Sequence, residues 1–154
     1  MNKDVKISLD LMMSNDELAN NEDIQKLIDF SLFERNKEGK TQILFAAAIY
    51  DANALNNILT NPFIDVNIPD IFGNTSLNLA ARNRHIDFVR LLLKRKDITV
   101  NIKNKTEYTP LHNATEKGHL KCIHMLLSHK VIDTSIRTFT NNTLENIALI
   151  NNHR

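Results

Sequence analysis

Cys122 is the residue of this sequence that comes nearest to a catalytic arrangement, because His119 lies three positions before it and His124 two positions after it. A thiol next to an imidazole can act as a nucleophile and base pair, provided that the thiol is exposed in an electropositive setting. In the 34-residue register described below, however, Cys122 takes the position of Phe88 and Ala54, which are apolar and face the predicted core. We therefore expect a buried, unreactive cysteine that behaves as a small hydrophobic residue.

The other residues capable of chemistry form no catalytic or metal-binding pattern. The six histidines have no paired spacing with cysteine or carboxylate partners that suits a metal ion. The acidic pairs Asp16-Glu17 and Glu22-Asp23 fit solvated helix starts, and the three glycines stand alone in predicted turns, so there is no phosphate-binding loop. Because nothing supplies a nucleophile, a base and an orienting group together, we predict no enzymatic activity, no catalytic residue, no metal site and no cofactor.

The charge of the chain argues against a nucleic-acid partner. The net charge is +1, whereas nucleic-acid binding depends on clustered positive charge. The short basic run Lys94-Arg95-Lys96 ends a predicted helix, where cations complement the helix dipole. Residues 1–38 carry 9 acidic and 5 basic side chains, while residues 39–154 carry 9 acidic and 14 basic. The first segment is thus acidic and the rest of the chain mildly basic.

The cysteine count and the hydropathy pattern indicate a soluble protein from a reducing compartment. One cysteine excludes an internal disulfide. No stretch approaches the roughly 18 consecutive apolar residues of a membrane span, and Asp10 interrupts the only apolar stretch near the start that could resemble a signal peptide. We expect a cytoplasmic or nuclear location, or the host cytoplasm if the chain comes from a pathogen, with no membrane partner.

An internal period of 34 residues organises the chain, and it positions all the residues considered so far. A fixed period of roughly 20 to 50 residues is typical of stacked repeats, in which no unit buries its apolar face alone. Two residue types recur at this spacing, namely Thr41, Thr75, Thr109 and Thr143, and Ala46, Ala80, Ala114 and Ala148.

The third copy reads Thr109-Pro110-Leu111-His112 and continues with Gly118-His119-Leu120. This pattern resembles the core of an ankyrin repeat. The resemblance covers about residues 36–150 and implies an all-α ankyrin repeat solenoid, in which helix-turn-helix units are joined by β-turn or hairpin loops. The predicted divisions are capping helices or a divergent repeat at 1–35, complete repeats at 36–69, 70–103 and 104–137, and a C-terminal half repeat or cap at 138–154.

Several positions depart from the family pattern or have a role implied by it. The glycine that ends the first helix of a repeat in this family is present as Gly118, but Tyr50 and Arg84 replace it, and either would be strained at positive φ. Glu145 stands where the other copies have Leu or Ile, which fits a final helix facing solvent. The resemblance also implies structural roles for three histidines and places two asparagines where some eukaryotic relatives are hydroxylated. These residues are His85, His112 and His119, and Asn67 and Asn101.

The resemblance further implies a partner-binding face made of the turn tips and the exposed side of each first helix. Several residues on these positions are apolar, and exposed apolar clusters commonly mark interaction sites. A second interpretation is that the aromatic residues pack on one another along the row of turns. The predicted partner-binding residues are Ile49, Ile71, Phe72, Asn74, Arg82, Asn83, Lys105, Tyr108, Glu116, Lys117 and Phe139.

Function is predicted from this resemblance, since fold alone does not define a site. We expect a non-catalytic, monomeric module that binds another protein, as an adaptor or a stoichiometric inhibitor. Short stand-alone arrays of this kind resemble intracellular inhibitors and the host-targeting proteins of viruses and intracellular bacteria. The alternative is a structural scaffold or self-associating protein.

Overall fold

The computed structural model describes residues 64–152 continuously, together with residues 60–62 and Ile43, Leu44, Ala47 and Asn56. The predicted segment 1–35, most of the predicted repeat 36–69, and the predicted site residue Ile49 lie outside the described residues. Tyr50, one of the two residues expected to replace a turn glycine, also lies outside them.

Residues 64–152 form five helices and no strand. The helices are α1 (Ser76–Arg82), α2 (Ile86–Leu93), α3 (Pro110–Glu116), α4 (Leu120–Leu127) and α5 (Leu144–Ile150). Two helix pairs, α1 with α2 and α3 with α4, each pack internally, and they stack so that α1 contacts α3 and α2 contacts α4. The helix α5 continues the row by packing against α3. The predicted all-α solenoid is confirmed.

A threonine begins the first helix of each unit because its side chain satisfies a backbone N–H that the helix cannot. The hydroxyls of Thr75, Thr109 and Thr143 each accept from the backbone N–H three residues later, at 3.3 Å. At Thr75 and Thr109 the side chain of that third residue also accepts from the threonine backbone, which completes a capping box. Pro110 occupies the first helical position, where its missing N–H removes no helix bond.

A left-handed residue lies two positions after the first helix of each described unit, as the sequence pattern indicates. Gly118 has φ of +67°, and the equivalent Arg84 and Asn152 have φ of +60° and +57°. A residue other than glycine in this region costs about 1–2 kcal/mol, and Arg84 has the positive φ on which the predicted strain depends. The histidine that follows then begins the second helix, at His85 and at His119.

The core runs along the stack as one continuous apolar cluster. Its largest fully buried side chains include Phe88, Leu77, Leu92, Leu111 and Leu126. Each unit contributes one face of each of its helices, so the cluster is shared between neighbours. The stability of such an array is approximately a sum of contributions from single units and from contacts between adjacent units. Glu145 is exposed on α5, as expected for the substitution of a charge at that register position.

Candidate partner-binding surface

A tight turn precedes the first helix of each unit, and one side chain closes it. In the first turn Asp70 Oδ1 accepts from the backbone N–H groups of Phe72 at 2.9 Å and Asn74 at 2.8 Å. Asn104 Oδ1 accepts in the same way from Thr106 and Tyr108. These short polar side chains favour such turns because they bond to the backbone a few residues ahead. The turn tip is therefore held without help from its own outermost side chains.

Apolar side chains at the turn tips face solvent. Ile71 is 47% exposed, Phe72 57% and Phe139 81%. Within residues 64–152 neither phenylalanine makes a ring contact, since the one aromatic pair there joins Tyr108 to His112. Lys105 lies in the middle turn, between the turn that carries Phe72 and the turn that carries Phe139. It is also exposed and forms no ion pair with a described residue. Two predicted aromatic residues thus have the exposure that a contact surface needs.

Tyr108 differs from these two phenylalanines because its ring is half-buried. The ring centroid lies 5.8 Å from that of His112, in a tilted arrangement. Burial, followed by the negative charge of Glu116, raises the pKa of the Tyr108 hydroxyl. Its carbonyl accepts a hydrogen bond from Asn78 Nδ2 at 3.1 Å, which joins two neighbouring units. The interpretation in which aromatic residues pack along the row of turns therefore fits Tyr108 better than it fits Phe72 or Phe139.

Asn74 is buried, with 7% of its surface exposed. Its Oδ1 accepts from Asn104 Nδ2 at 2.9 Å, so its amide links the turns of adjacent units. This hydrogen bond occupies a side chain that was predicted to contact a partner. We therefore exclude Asn74 from the surface considered below.

The ends of the first helices supply the polar part of the surface. Arg82 and Asn83 lie at the end of α1, and Glu116 and Lys117 at the end of α3. Arg82, Asn83 and Lys117 are exposed and Glu116 is half-buried, with 3.6 Å between the Lys117 ammonium and the Glu116 carboxylate. A pair that stays in contact with solvent contributes little to stability, and both side chains remain accessible to a partner.

The spacing between neighbouring turns depends on one glycine. Gly73 has φ of +79°, and a Cβ added there would lie 2.9 Å from the backbone nitrogen of Lys105. This close approach allows the Lys105 N–H to donate to the Phe72 carbonyl at 3.0 Å. At the next junction the equivalent residue is Glu107, also left-handed at +66°, and residues 104–142 contain no corresponding bond between turns. The sequence pattern does not predict this conformation at Glu107.

Two equivalent asparagines each form hydrogen bonds to the loop that follows a second helix. Asn67 Nδ2 donates to the Asp97 carbonyl at 2.8 Å, and its Oδ1 accepts from the Thr99 N–H at 2.8 Å. Asn101 repeats the arrangement with Val131 and Asp133, at 2.8 Å and 3.0 Å. Both ends of each amide are therefore used to hold the following loop.

Arg95 has a structural role that its place in a basic run did not reveal. Its side chain is 13% exposed, and it forms a two-point pair with the Asp97 carboxylate at 2.8 Å and 2.7 Å. It also donates to the carbonyls of Asn61 and Ile64, at 3.0 Å and 2.9 Å. The hydrogen bond from Arg95 lowers the pKa of Asp97, and the same bond raises that of Arg95. The guanidinium therefore connects two successive loops.

The sequence-predicted histidine and cysteine roles are structural at the residues described. His85 Nδ1 lies 2.6 Å from the Ala47 carbonyl and His119 Nε2 lies 3.0 Å from that of Arg82, so each histidine contacts the preceding unit. Cys122 is fully buried, and burial raises the pKa of its thiol. A thiol that ionises less readily is a weaker nucleophile. Over the described ranges, no group of three or more metal-ligating side chains occurs.

His112 accepts from the Thr109 N–H through Nδ1 at 3.2 Å, which requires that this nitrogen carry no proton. Burial lowers the pKa of His112, with a further lowering from Lys103 and an opposing effect of the Ile136 carbonyl. The neutral ring is therefore part of the helix cap.

Stacked helix pairs, threonine caps and hydrogen-bonded turns define a helical repeat protein whose turn tips form an exposed edge. The sequence profile of a family described as ankyrin repeats (3 copies) matches residues 11–104 and residues 43–138. These matches span most of the chain, which therefore belongs to the ankyrin repeat family. Members of this family are generally protein–protein interaction modules and typically have no catalytic activity. A search of the curated proteins gives no match. Within the described residues, no helix is long and apolar enough to cross a membrane.

Proposed function

We propose that this chain binds a partner protein through the turn tips and the ends of the first helices. The observation that carries the proposal is the exposure of Phe72 and Phe139 on turns whose conformation is fixed by other residues. Burying a phenylalanine contributes about 1.5–3 kcal/mol, so two such anchors are able to supply a large part of a typical binding free energy. Aromatic side chains are also favoured as binding hot spots.

The charged residues of this surface favour a partner whose apolar segment also carries negative charge. Lys105 lies in the turn between the two phenylalanine-bearing turns, and Arg82 is exposed at the end of α1. Neither forms an ion pair with another described residue, whereas Lys117 lies near Glu116. Complementary charge of this kind increases the association rate and the specificity more than the affinity.

The proposed function is therefore that of an adaptor, which tethers the partner, or of a stoichiometric inhibitor, which covers part of the partner's surface. Neither role requires a covalent bond to be made or broken. The proposed contact surface comprises Ile71, Phe72, Arg82, Asn83, Lys105, Tyr108, Glu116, Lys117 and Phe139. It extends over the proposed repeats 70–103 and 104–137 and the proposed half repeat 138–154. The proposed working form is a monomer.

An affinity capture from cell extract tests this function. The test variant combines Phe72→Ala with Phe139→Ala, and the control is Val131→Ala, which truncates another apolar side chain that is 62% exposed but lies away from the turns. Tyr108 is left unchanged because its ring packs within the stack. Circular dichroism first establishes that both variants retain their helices.

We expect at least one protein to be captured by the wild type and by the control variant, but not by the double variant. A double variant that folds and captures every protein held by wild type would refute the proposed surface.

A further inference from the structure

The three turns at residues 70–74, 104–108 and 138–142 have the same backbone structure. In each turn the first residue donates its N–H to the carbonyl of the fifth residue, at 2.9 to 3.1 Å. The fourth residue donates its N–H to the carbonyl of the first, at 2.8 to 3.0 Å. This fourth residue is also left-handed in all three turns, at Gly73, Glu107 and Asn141. Side chains at equivalent positions of the three turns therefore leave the backbone in the same direction.

The second position of these turns is occupied by Ile71, Lys105 and Phe139, which we call the tip row. Ile71 is 47% exposed and Phe139 is 81% exposed, and Lys105 is exposed as well. Because the first helices stack in the order α1, α3, α5, the lysine lies between the two apolar side chains. Phe72, the next residue of the first turn, adds a second exposed apolar side chain at that end.

Lys105 gives the centre of the tip row a positive charge that no described residue neutralises. The carboxylate of the same turn, Glu107, is paired with Lys103. In the first turn the Asp70 side chain is buried and closes the turn, and the turn 138–142 contains no charged residue. An acidic side chain between two apolar ones would therefore complement the tip row in both charge and polarity.

The length of the tip row follows from the packing of the first helices. α1 packs against α3 and α3 packs against α5, and packed helices lie about 8–10 Å apart, so Ile71 and Phe139 are separated by roughly 16–20 Å. An extended chain rises about 3.3 Å per residue and points alternate side chains to the same face, so residues six positions apart span about 20 Å on one face. A helix would need about 11–14 residues for the same distance, and a free helix of that length is only marginally stable.

We infer that the tip row binds an extended segment of a partner protein that has apolar residues at its positions 1 and 7 and an acidic residue at position 3 or 5. The two apolar residues contact Ile71 and Phe139. The acidic residue lies on the same face of the extended segment and contacts the Lys105 ammonium. Lys105 thereby determines specificity, because it repels a basic residue at these positions.

This inference rests on the proposed function, since the tip row is part of the turn-tip surface. It adds the order, the spacing and the charge of the partner residues.

A phage-displayed library of random 12-residue peptides provides the probe, and it is selected on the full chain. Parallel selections use the variants Lys105→Glu and Lys121→Glu. Lys121 is the matched control because it is an exposed lysine on α4, outside the turns, and it forms no ion pair with a described residue. Selected peptides are synthesised, and their dissociation constants are measured for each protein and for the variant Ile71→Ala, Phe139→Ala. Circular dichroism first establishes that all variants retain their helices.

We expect wild type and Lys121→Glu to select peptides with two apolar residues six positions apart and an acidic residue between them. Lys105→Glu should select the same apolar spacing with lysine or arginine in place of the acidic residue. It should bind the wild-type peptides roughly 3- to 30-fold more weakly, because an attraction becomes a repulsion. The variant Ile71→Ala, Phe139→Ala should weaken their binding at least about 10-fold, because apolar contact is lost at both ends.

Three results would overturn the inference. In the first, no selected peptide depends on Ile71 and Phe139. In the second, Lys105→Glu selects the same acidic peptides as wild type. In the third, Lys121→Glu changes the selected charge as much as Lys105→Glu does, since the preference would then reflect net charge alone.

The capture experiment on the turn tips distinguishes these failures from a failure of the proposed function. A partner lost by Phe72→Ala, Phe139→Ala would support the proposed function after any of the three results, because a folded partner can cover the turn tips without an extended segment.

Discussion

Replacing Gly73 with alanine should destabilise the array by about 2 kcal/mol. The estimate combines about 1.5 kcal/mol for alanine in the left-handed region with about 1 kcal/mol for one lost hydrogen bond, less about 0.7 kcal/mol for the stiffer unfolded chain. The lost bond is that from the Lys105 N–H to the Phe72 carbonyl. The new Cβ would lie 2.9 Å from Lys105 N and 3.1 Å from Asn104 Cα. Both are backbone atoms, so no side-chain rotation relieves the contact and the two turns must separate.

The matched control is Glu107→Ala, which places alanine at the equivalent position of the next turn. Glu107 already has a Cβ and already has φ of +66°, so the substitution adds neither strain nor a new contact. It removes only the exposed ion pair with Lys103, and we expect a change within about 0.5 kcal/mol. The difference between the two variants isolates the part of the cost that comes from the glycine and its close neighbour.

Urea unfolding followed by circular dichroism measures the free energy of unfolding for wild type and both variants. Amide hydrogen exchange adds a local measurement, because the Lys105 amide should lose protection in Gly73→Ala and keep it in Glu107→Ala. The reasoning fails if Gly73→Ala costs no more than Glu107→Ala, or if the Lys105 amide stays protected in both variants.

Three further substitutions or treatments test other parts of the structure. Burial depresses the pKa of His112 in the folded state, so its contribution to stability is present above the unfolded pKa of about 6.5 and is lost as pH falls through the folded pKa. The variant His112→Asn, which places there the residue found at the equivalent Asn78, should reduce this pH dependence of the free energy of unfolding, measured with urea between pH 8 and 5. An unchanged pH profile would contradict the assignment. Arg95→Met should destabilise the fold by about 1–3 kcal/mol because the hydrogen bonds from Arg95 to the Asn61 and Ile64 carbonyls are lost, and a thermal midpoint equal to wild type would show that these bonds contribute nothing. The Cys122 thiol should react with a thiol reagent only in unfolding concentrations of urea, so rapid modification of the native protein would refute its burial.

The helical architecture could be predicted from the sequence because its determinants are local and repeat. Thr75, Thr109 and Thr143 mark the start of a helix in each unit, and a hydroxyl at such a position has a definite bonding role. Pro110 marks the same boundary by its fixed φ. The register also shows that Arg84 replaces a glycine, so strain there could be predicted on condition of a positive φ, which the residue has.

The contacts of Arg95 and Asn74 could not be predicted in the same way. Arg95 donates to the carbonyls of Asn61 and Ile64. Because every residue has a backbone carbonyl, residue types do not indicate which carbonyl will accept such a bond. Asn74 occupies a position that the family resemblance assigns to the partner-binding face, but here its side chain bonds to Asn104 in the next turn. Register assigns a position within one unit, whereas exposure depends on which side chain the adjacent unit presents.

The exposure of Leu120 and Leu127 on α4 shows the same limit from the opposite direction. Leu120 and Leu127 match Ile86 and Leu93 in register, and their sequence pattern alone predicts similar burial. The structure separates them because α2 has a neighbouring helix on that face and α4 has none among the described residues. Periodicity predicts which residues are apolar, but it does not predict which of them are covered.

The closure of each turn by a single residue has a consequence for how this protein could acquire new partners. Asp70, Asn104 and Thr138 hold their turns through different chemical groups, a carboxylate, an amide and a hydroxyl. The tip residues are spared this task, so Phe72 and Phe139 are free to change with little loss of stability. At the proposed turn-tip surface, recognition could therefore diversify one tip at a time, while the scaffold that presents the tips stays the same.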